Sequence, residues 1–450
     1  MSEKLSPVEL RQRGSMKGFE YQNPSRCTFL RKLDQRIRTA VESFGFEEIQ
    51  GPILQPIEFY QVKSGDELLS HTYTFEDADG SLLVLRPEMT PTVAYMVAKD
   101  DGRLTFPLRW WSNPDLFRKE KPQKGRKRQF KQLNVDIFDR VDSGRERAFD
   151  DAEIISVAFS VFEKFNLGIN DIIMKINSRS LMEKVFDSVD LTTCQRIKLL
   201  TLIDRKPKVP IETFNNKLEI LIDSFKSRQV ILKWLSLKTL EEVKSSPDFS
   251  LLSKTIEYEE LSKVFDLLKI YGKSEYCEFS PQTVRGLGYY TGTVFEAFDR
   301  RSEFKRSLMG GGRYDNLTKT LGGKIEITGV GFGFGNVPLE EILSLRNTNL
   351  LDEEAKIDYY IVVQSETNKY DAINIAEKLR RSGNRVLLDE SISKGKLNKV
   401  NKQLSNANKL KTRNSLIVFP DELRRGQVIV KNMQTGQQET LNISSLSENK

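Results

Sequence analysis

Residues 329–335, GVGFGFG, alternate glycine with larger apolar residues. Because successive side chains of a β-strand point to opposite faces, this alternation predicts a strand with one bare face and one apolar face. Glycine weakens a strand interior, so a bare face indicates that another group approaches the backbone closely. A flat ligand such as an adenine ring satisfies this pattern, and so does a packed helix. The alternation does not distinguish the two.

The segments before this strand predict a large domain of helices and strands. Apolar residues recur at helical spacing after Ser25 and stop at Gly45, which predicts the first helix. Residues from about 190 to 272 are helical in pattern, rich in Lys and Glu and poor in glycine, which predicts a helical insertion inside the domain. Strands are predicted over residues 82–85 and 108–112, and, after the segment LNVDIF at residues 133–138, a helix over residues 151–165.

A second, smaller domain is predicted at residues 357–450. An acidic run at residues 352–354 lies in a predicted linker, residues 346–356. The alternation of strands and helices beyond the linker is typical of a small α/β domain with a parallel or mixed sheet. The predicted strands cover residues 358–364, 384–390, 415–421, 427–432 and 438–443, and the predicted helices cover residues 370–381 and 397–410.

Composition excludes several classes of protein. Hydrophobic residues make up 38% and charged residues 30% of the chain, a balance typical of globular proteins. No run approaches the roughly 18 apolar residues of a membrane-spanning helix, and the first residues lack the apolar core of a signal peptide. Cys27, Cys194 and Cys277 are far apart, and His71 is the single histidine. We therefore expect no metal site, a reducing cytoplasmic compartment, and a structural or surface role for His71.

The segment Phe117–Gln132, FRKEKPQKGRKRQFKQ, holds eight Lys or Arg residues and one acid in a chain of net charge +7. Pro122 and Gly125 interrupt any helix, so the segment is predicted to be a loop between strands. It is either a solvated basic loop or a phosphate-binding hairpin, because arginine suits phosphate oxygens. A second basic run, residues 394–413, has seven Lys or Arg and no acid, and forms either a solubilising face or a contact for RNA phosphates.

The segment Arg285–Phe298, RGLGYYTGTVFEAF, sets glycines on both sides of Tyr289 and Tyr290 and next to a cation. Glycines let a backbone approach a ligand closely, and the tyrosines offer apolar walls with hydroxyl groups. The alternative is that the two tyrosines are only packed in a strand. Recognised nucleotide signatures are absent: the chain has no P-loop motif, and the glycines at 310–312 form no dinucleotide fingerprint.

Taken in order, these segments resemble the class II aminoacyl-tRNA synthetases and, within them, the histidyl-tRNA synthetase family. Residues 45–56, GFEEIQGPILQP, resemble the first motif, with Pro52 at the dimer interface, and FRKEKPQKGRKRQFKQLNVDIF resembles the second motif. RGLGYYTGTVFE is similar to a signature peculiar to the histidyl family, and LRPEMT at residues 85–90 resembles its amino-acid-binding turn. The resemblance covers nearly the whole chain except the helical insertion.

The resemblance implies a fold, substrates and site residues. It implies an α+β catalytic domain over residues 1–345 with an antiparallel sheet flanked by helices, an anticodon-binding domain over residues 357–450, and a homodimer. The implied partners are L-histidine, ATP with Mg²⁺ and tRNA(His). The implied catalytic residues are Arg118 and Arg285. The implied histidine contacts are Glu88, Met89, Thr90, Gln132, Asp136, Arg285, Tyr289 and Tyr290. The implied ATP contacts are Arg118, Arg126, Gly331 and Gly333, and the implied tRNA contacts are Gln123, Lys124, Arg128, Lys399 and Lys402.

Two positions depart from the family pattern. Pro338 stands where class II enzymes usually have an arginine over the γ-phosphate of ATP, so that contact falls to Arg313, to a second-motif residue, or is absent. Gly288 stands where an acidic residue is common. The missing arginine leaves open a non-catalytic paralogue, such as the regulatory subunit of ATP phosphoribosyltransferase, although such paralogues tend to lose the RGLxYYTG signature and the C-terminal domain. An RNA-binding protein would explain the basic loop but not the set of Glu88, Gln132, Asp136 and Tyr290.

Overall fold

A computed structural model of the chain describes residues 16–61, 70–285, 288–348, 357–364, 368–389, 392–393, 396–397 and 399–447. The chain divides into two compact units, Met1–Leu350 and Leu351–Lys450, called here the N-terminal unit and the C-terminal unit. Residues 349–356 of the predicted linker lie outside the described residues. The boundaries predicted for the catalytic domain, the insertion and the anticodon-binding domain stay predictions.

The strands of the N-terminal unit form one large sheet and one small sheet. They are β1 (Glu47–Glu48), β2 (Leu54–Pro56), β3 (Tyr73–Glu76), β4 (Leu82–Leu85), β5 (Leu108–Ser112), β6 (Asp115–Phe117), β7 (Gln129–Arg140), β8 (Ile172–Ser178), β9 (Cys277–Phe279), β10 (Thr293–Asp299), β11 (Met309–Arg313) and β12 (Ile327–Gly335). The large sheet has the order β1-β5-β7-β12-β11-β10-β8-β9, with β6 paired to β7, and the small sheet has the order β2-β4-β3. The predicted antiparallel arrangement is confirmed for the central strands. The sheet as a whole is mixed, because the outer pairs β1/β5 and β8/β9 are parallel.

The helices of the N-terminal unit flank this sheet and fill the predicted insertion. They are α1 (Pro24–Glu42), α2 (Glu58–Gln61), α3 (Thr90–Asp100), α4 (Arg147–Glu163), α5 (Arg179–Asp187), α6 (Thr193–Arg205), α7 (Ile211–Leu221), α8 (Phe225–Ser236), α9 (Leu240–Ser245), α10 (Ile256–Ile270), α11 (Leu317–Thr320) and α12 (Asn336–Leu345). The first predicted helix is confirmed as α1. It begins after Asn23, whose side chain accepts a hydrogen bond from the Arg26 N–H, the usual way to satisfy a free N-terminal donor.

Strand β12 confirms the two-faced pattern of GVGFGFG. Val330, Phe332 and Phe334 are buried in the larger apolar core, where α1 and α4 also pack. The glycines occupy the other face. Apolar burial on one face holds the strand in the centre of the sheet, and the opposite face is left to the candidate site.

The C-terminal unit is a small α/β fold, as predicted. Its elements are β13 (Tyr359–Val363), α13 (Lys369–Arg381), β14 (Val386–Leu388), β15 (Ile392–Ser393), β16 (Lys396–Leu397), α14 (Val400–Lys409), β17 (Asn414–Val418), α15 (Pro420–Arg424), β18 (Gln427–Asn432) and β19 (Gln438–Asn442). The main sheet has the order β14-β13-β17-β18-β19, parallel over its first three strands. The Gln403 side chain of α14 bonds both the N–H and the C=O of Val363 at 2.9 and 2.7 Å, which fixes this helix on β13.

Two predicted boundaries in this unit are wrong. The helix predicted from Leu397 begins at Val400, because residues 396–397 pair with residues 392–393 in a short antiparallel ladder. The strand predicted to reach Asp421 ends at Val418, because Pro420 starts α15. Proline has no N–H to give to a sheet and suits the first turn of a helix.

A search of the described helices for one long and apolar enough to cross a membrane finds none.

Candidate active site

The turn between β4 and α3 supplies two buried residues to the site. Glu88 is 4% exposed, Met89 is fully buried, and the half-buried Thr90 opens helix α3. The turn is held by Arg86, whose guanidinium donates to the carbonyls of Gly51 at 2.6 Å and Asp115 at 3.0 Å. Arg86 therefore ties this turn to the first-motif segment and to β6.

The two tyrosines of the RGLGYYTG segment face this turn. The Tyr289 hydroxyl donates to the Glu88 carboxylate at 3.4 Å, and the Tyr289 and Tyr290 rings lie 4.8 Å apart between centroids. Tyr289 also meets Tyr314 edge to face, with centroids 5.9 Å apart. Burial, with the Glu88 charge beside it, raises the pKa of Tyr289 well above its ordinary value, so this hydroxyl stays a donor at neutral pH. The tyrosine pair is thus packed and also presents polar groups to the site.

Asp136 and Tyr314 meet across the bare face of β12. The Tyr314 hydroxyl donates to the Asp136 carboxylate. A Cβ on Gly331 would lie 2.2 Å from Asp136 Oδ1 and 2.8 Å from the Tyr314 hydroxyl, so only glycine leaves room for this pair. Burial raises the pKa of Asp136 to about 7, although the Tyr314 hydrogen bond acts in the opposite direction.

Gln132 uses the same bare face one step along the strand. A Cβ on Gly333 would lie 2.0 Å from Gln132 Nε2, which donates to Asn134 Oδ1 at 3.0 Å. The close approach that the glycine pattern predicts is therefore made by side chains of β7 and by Tyr314. A contact of Gly331 and Gly333 with ATP stays a prediction.

Two arginines flank the buried tyrosines and Glu88. Arg118 donates from Nε to the Pro87 carbonyl at 2.9 Å, and Glu88 and Tyr289 are among the groups that act on its charge. Arg285 pairs with Glu296 at 2.6 Å, and Tyr290 and Tyr289 act on its charge.

Two features make room for Arg285. The backbone of Arg285 has φ +51°, a left-handed conformation that is uncommon for a non-glycine residue. A Cβ on Gly310 would lie 2.4 Å from Arg285 Nη1, so glycine there clears the space that this guanidinium occupies. The structure thus brings Arg118, Arg285, Glu88 and Tyr290 into one cluster of electrostatic neighbours, called here the pocket.

Arg313 was one of the candidates to replace the arginine missing at Pro338. Its guanidinium is 3% exposed, bonds Asp151 at 2.7 Å and Asp315 at 3.1 Å, and donates to the Arg147 carbonyl at 3.0 Å. Breaking a buried ion pair leaves an uncompensated charge, so these bonds keep Arg313 in place. Its position favours a structural role over a contact with ATP.

The basic segment is a loop between β6 and β7, as predicted. Backbone hydrogen bonds between Gln123 and Arg126 form its tip, where Gln123 and Lys124 are exposed. Arg126 pairs with Glu120, and Arg128 donates from Nε to the Glu120 carbonyl at 3.1 Å. The tip of the loop is exposed and its base is held by these bonds, an arrangement compatible with contact to a phosphate backbone.

The structure also places the two lysines predicted to bind tRNA and the single histidine. Lys399 and Lys402 are exposed at the start of α14 in the C-terminal unit. His71 is half-buried, and its carbonyl accepts the Lys119 N–H at 2.7 Å. Within the part of the chain that the structure describes, no group of three or more His, Cys, Asp or Glu residues is placed to hold a metal ion.

Comparison with known proteins assigns the family. The sequence profile described as Histidyl-tRNA synthetase matches residues 18–337, well over half of the chain. The chain belongs to the histidyl-tRNA synthetase family. A second profile, described as Anticodon binding domain, matches residues 358–449.

Relatives within the histidyl-tRNA synthetase family align over nearly their full length. The chain is 34% identical over 437 residues to the histidine–tRNA ligase of Thermoplasma volcanium, covering 96% of each chain. It is 31% identical over 424 residues to that of Natronomonas pharaonis, covering 94% of each.

Solved structures of lower identity share the fold. The crystal structure of histidyl-tRNA synthetase from a Nostoc species has a TM-score of 0.75 at 24% identity, covering 96% of each chain. A Bacillus halodurans protein titled as an ATP phosphoribosyltransferase regulatory subunit/histidyl-tRNA synthetase has a TM-score of 0.70 at 21% identity, covering 90% of this chain and 97% of that one.

Two residues of the pocket were not in the predicted site. Tyr314 follows the glycines at 310–312 by two residues and was considered only with that run, and Arg86 was considered only as part of the LRPEMT turn. Glycines also lie close to Tyr289 and Tyr290 in the sequence, so the glycine run that ends two residues before Tyr314 was a signal for it. Arg86 had no such signal, because its partners are backbone carbonyls distant in sequence.

Proposed function

We propose that this chain is a histidine–tRNA ligase, which activates L-histidine with ATP and transfers it to the 3′ end of tRNA(His). The observation that carries the proposal is a cluster in which the buried polar groups of Glu88 and Tyr289 lie beside the cations of Arg118 and Arg285. Asp136 is joined to this cluster through Tyr314. Family membership supports the same reaction.

The pocket suits the two polar ends of histidine. Glu88 and Thr90 bind the α-ammonium group, since a carboxylate paired with an ammonium is a strong interaction. Asp136, bonded to Tyr314, and Gln132 bind the imidazole, while Met89, Tyr289 and Tyr290 form the walls. An amino acid without an imidazole leaves these buried groups unpaired, and such sites discriminate by roughly 10⁴–10⁵-fold without editing.

The chemistry needs positioning and charge, and no protein nucleophile. A carboxylate oxygen of histidine attacks the α-phosphorus of ATP, and the bond between that phosphorus and the pyrophosphate oxygen breaks. Arg118 and Arg285 stabilise the charge that spreads over the α-phosphate. Arg126, Gly331 and Gly333 contact the rest of ATP. Mg²⁺ arrives with the phosphates of the substrate, because it is commonly held by phosphates and few protein ligands.

The tRNA is bound by polar and basic residues of both units. Gln123, Lys124 and Arg128 of the basic loop contact its acceptor end, and Lys399 and Lys402 contact phosphates from the anticodon-binding domain. Exposed cations bind a nucleic-acid backbone mainly by releasing counterions, so these contacts weaken as salt rises.

We also propose a cytoplasmic homodimer. Support for the dimer comes from one face of the small sheet β2-β4-β3. Leu54 and Phe75 are each 47% exposed in the single chain, and their pairing with Leu85 and Leu83 of β4 sets both on the same face. Exposed apolar residues on one face are typical of an interface. The cytoplasmic location rests on the family's role in charging tRNA.

Pyrophosphate exchange tests the activity directly. The purified chain is incubated with ATP, labelled pyrophosphate and each of the twenty amino acids in turn. We expect label to enter ATP with histidine alone. Exchange with no amino acid would favour the regulatory-subunit alternative, and exchange with another amino acid would overturn the substrate assignment.

A further inference from the structure

Arg306 lies beside the basic loop with part of its guanidinium unsatisfied. Its Nη1 atom is shielded from solvent and has no hydrogen-bond partner among the residues that the structure describes. Most buried donors in folded proteins are paired, so a shielded donor without a partner indicates a ligand that the protein alone does not supply.

Arg306 belongs to the hairpin between β10 and β11 and lies against the basic loop. A Cβ on Gly125 would lie 2.8 Å from Phe304 Cζ and 3.7 Å from Arg306 Cδ, so the two segments are in close contact. Phe304 is held in turn by its N–H, which donates to the Asp299 carboxylate at 2.8 Å. Arg306 is therefore positioned by a buried aromatic neighbour and a fixed hairpin.

The acid whose charge acts on Arg306 is already paired with another cation. Glu120 binds Arg126. Burial lowers the pKa of Arg306, and the Arg126 charge lowers it further, while Glu120 opposes both. This surplus of positive charge favours an anionic ligand, and the fork of a guanidinium matches phosphate oxygens.

The tip of the basic loop contacts both Arg306 and the helix that carries Pro338. A Cβ on Gly125 would lie 3.7 Å from Arg306 Cδ, and the ammonium of the neighbouring Lys124 lies 3.7 Å from Glu341 of α12. Pro338, the position at which class II enzymes usually have an arginine, is in the first turn of that helix.

We propose that Arg306 binds the terminal phosphates of ATP and supplies the cation that Pro338 does not. The proposal rests on the proposed function. Arg118, at the α-phosphate, and Arg306 share Glu120 and Arg126 as charged neighbours, so the two cations suit opposite ends of one triphosphate. When the bond to the α-phosphorus breaks, Arg306 neutralises charge that remains on the leaving pyrophosphate.

The test distinguishes binding of the terminal phosphates of ATP from binding of the rest of the substrate. Arg306→Met removes the cation, Arg306→Lys keeps its charge, and Lys305→Met is the matched control, because Lys305 is the exposed neighbour in the same hairpin. Three quantities are measured on full-length protein: histidine-dependent pyrophosphate exchange, ATP binding by calorimetry, and binding of the sulfamoyl analogue of histidyl-adenylate, which lacks the β- and γ-phosphates.

We expect Arg306→Met to lower kcat/KM for ATP by about 10²–10³, as removal of one preorganised charged group typically does. Direct ATP binding should weaken in parallel, Arg306→Lys should recover part of it, and the adenylate analogue should bind all variants equally. ATP binding by Arg306→Met equal to that of Lys305→Met would overturn the proposal, and so would equal weakening of ATP and analogue. The binding measurements do not depend on the proposed function. That function would fail separately if the wild-type chain bound ATP but exchanged no pyrophosphate with histidine.

Discussion

The Tyr314 hydroxyl donates a hydrogen bond to Asp136 across the bare face of strand β12, where Gly331 leaves the space for both groups. A buried carboxyl group with one hydroxyl partner is poorly compensated, and burial raises its pKa to about 7. The pair therefore links the proposed histidine site to the stability of the sheet.

The first prediction concerns how stability depends on pH in Asp136→Asn. Between about pH 4 and 7 the folded wild type keeps a proton on Asp136 that the unfolded chain has released, because the folded pKa is the higher one. This group therefore contributes stability at low pH that is lost as pH rises to about 7. The variant lacks this dependence, so its unfolding free energy relative to wild type should rise from pH 5 to 7 and then level off. Urea unfolding at four pH values measures the difference, and a flat difference would contradict the raised pKa.

The second prediction concerns the two flanking arginines. Arg118→Met and Arg285→Met should each lower kcat for histidine-dependent pyrophosphate exchange by about 10²–10³, since each removes a preorganised cation from the reacting phosphate. Arg300→Met is the control, because Arg300 is exposed and donates to the Glu275 carbonyl outside the pocket. Equal rates for Arg300→Met and Arg118→Met would show that the pocket arginines have no special part in the reaction.

The third prediction separates two glycines of adjacent strands. A Cβ on Gly311 would lie 2.2 Å from the Gly331 carbonyl oxygen, which is backbone, so Gly311→Ala should destabilise the fold by about 1–3 kcal/mol. A Cβ on Gly333 would meet the flexible end of Gln132, so Gly333→Ala should keep the melting temperature and raise KM for histidine. Thermal unfolding and exchange kinetics on both variants test this. Loss of stability in Gly333→Ala with none in Gly311→Ala would contradict the prediction.

The fourth prediction concerns the C-terminal unit. The double substitution of Lys399 and Lys402 by Ala should weaken tRNA binding and reduce the slope of log affinity against log salt by about 1–2, since each phosphate that is no longer neutralised lowers the slope by one unit or less. Pyrophosphate exchange without tRNA should be unaffected. Arg424→Ala is the matched control, since Arg424 is 78% exposed in the same unit and pairs with Asp421. An unchanged salt slope in the double variant would remove these lysines from the tRNA interface.

The fifth prediction concerns the small sheet. Leu54→Glu together with Phe75→Glu places two like charges on one exposed face of this sheet, and a buried unpaired charge opposes association. We expect sedimentation to report a dimer for the wild type and a monomer for this variant. Ile197→Glu, at a residue 61% exposed on α6 of the helical segment, should leave the dimer intact. A variant that remains dimeric would exclude this sheet as the interface.

Local patterns determined much of this fold. The alternation in residues 329–335 was sufficient to place β12 and to assign its two faces, because side-chain direction in a strand repeats every second residue. Pro122 and Gly125 were sufficient to predict a loop in the basic segment. The start of α14 was predicted three residues early. Leu397 lies outside the helix because residues 396–397 pair with residues 392–393, which helical periodicity does not reveal.

The sequence alone determined which segments are candidates for the site, because turn residues, strand periods and charge runs are local properties. Only the tertiary structure decided which side chains meet. Tyr314 lies 178 residues from Asp136, and Tyr289 lies 201 residues from Glu88. Such contacts depend on strand register and on the burial of one face of the sheet, which no single segment encodes. The same long-range packing pairs Arg313 with Asp151 and leaves Nη1 of Arg306 without a hydrogen-bond partner among the described residues.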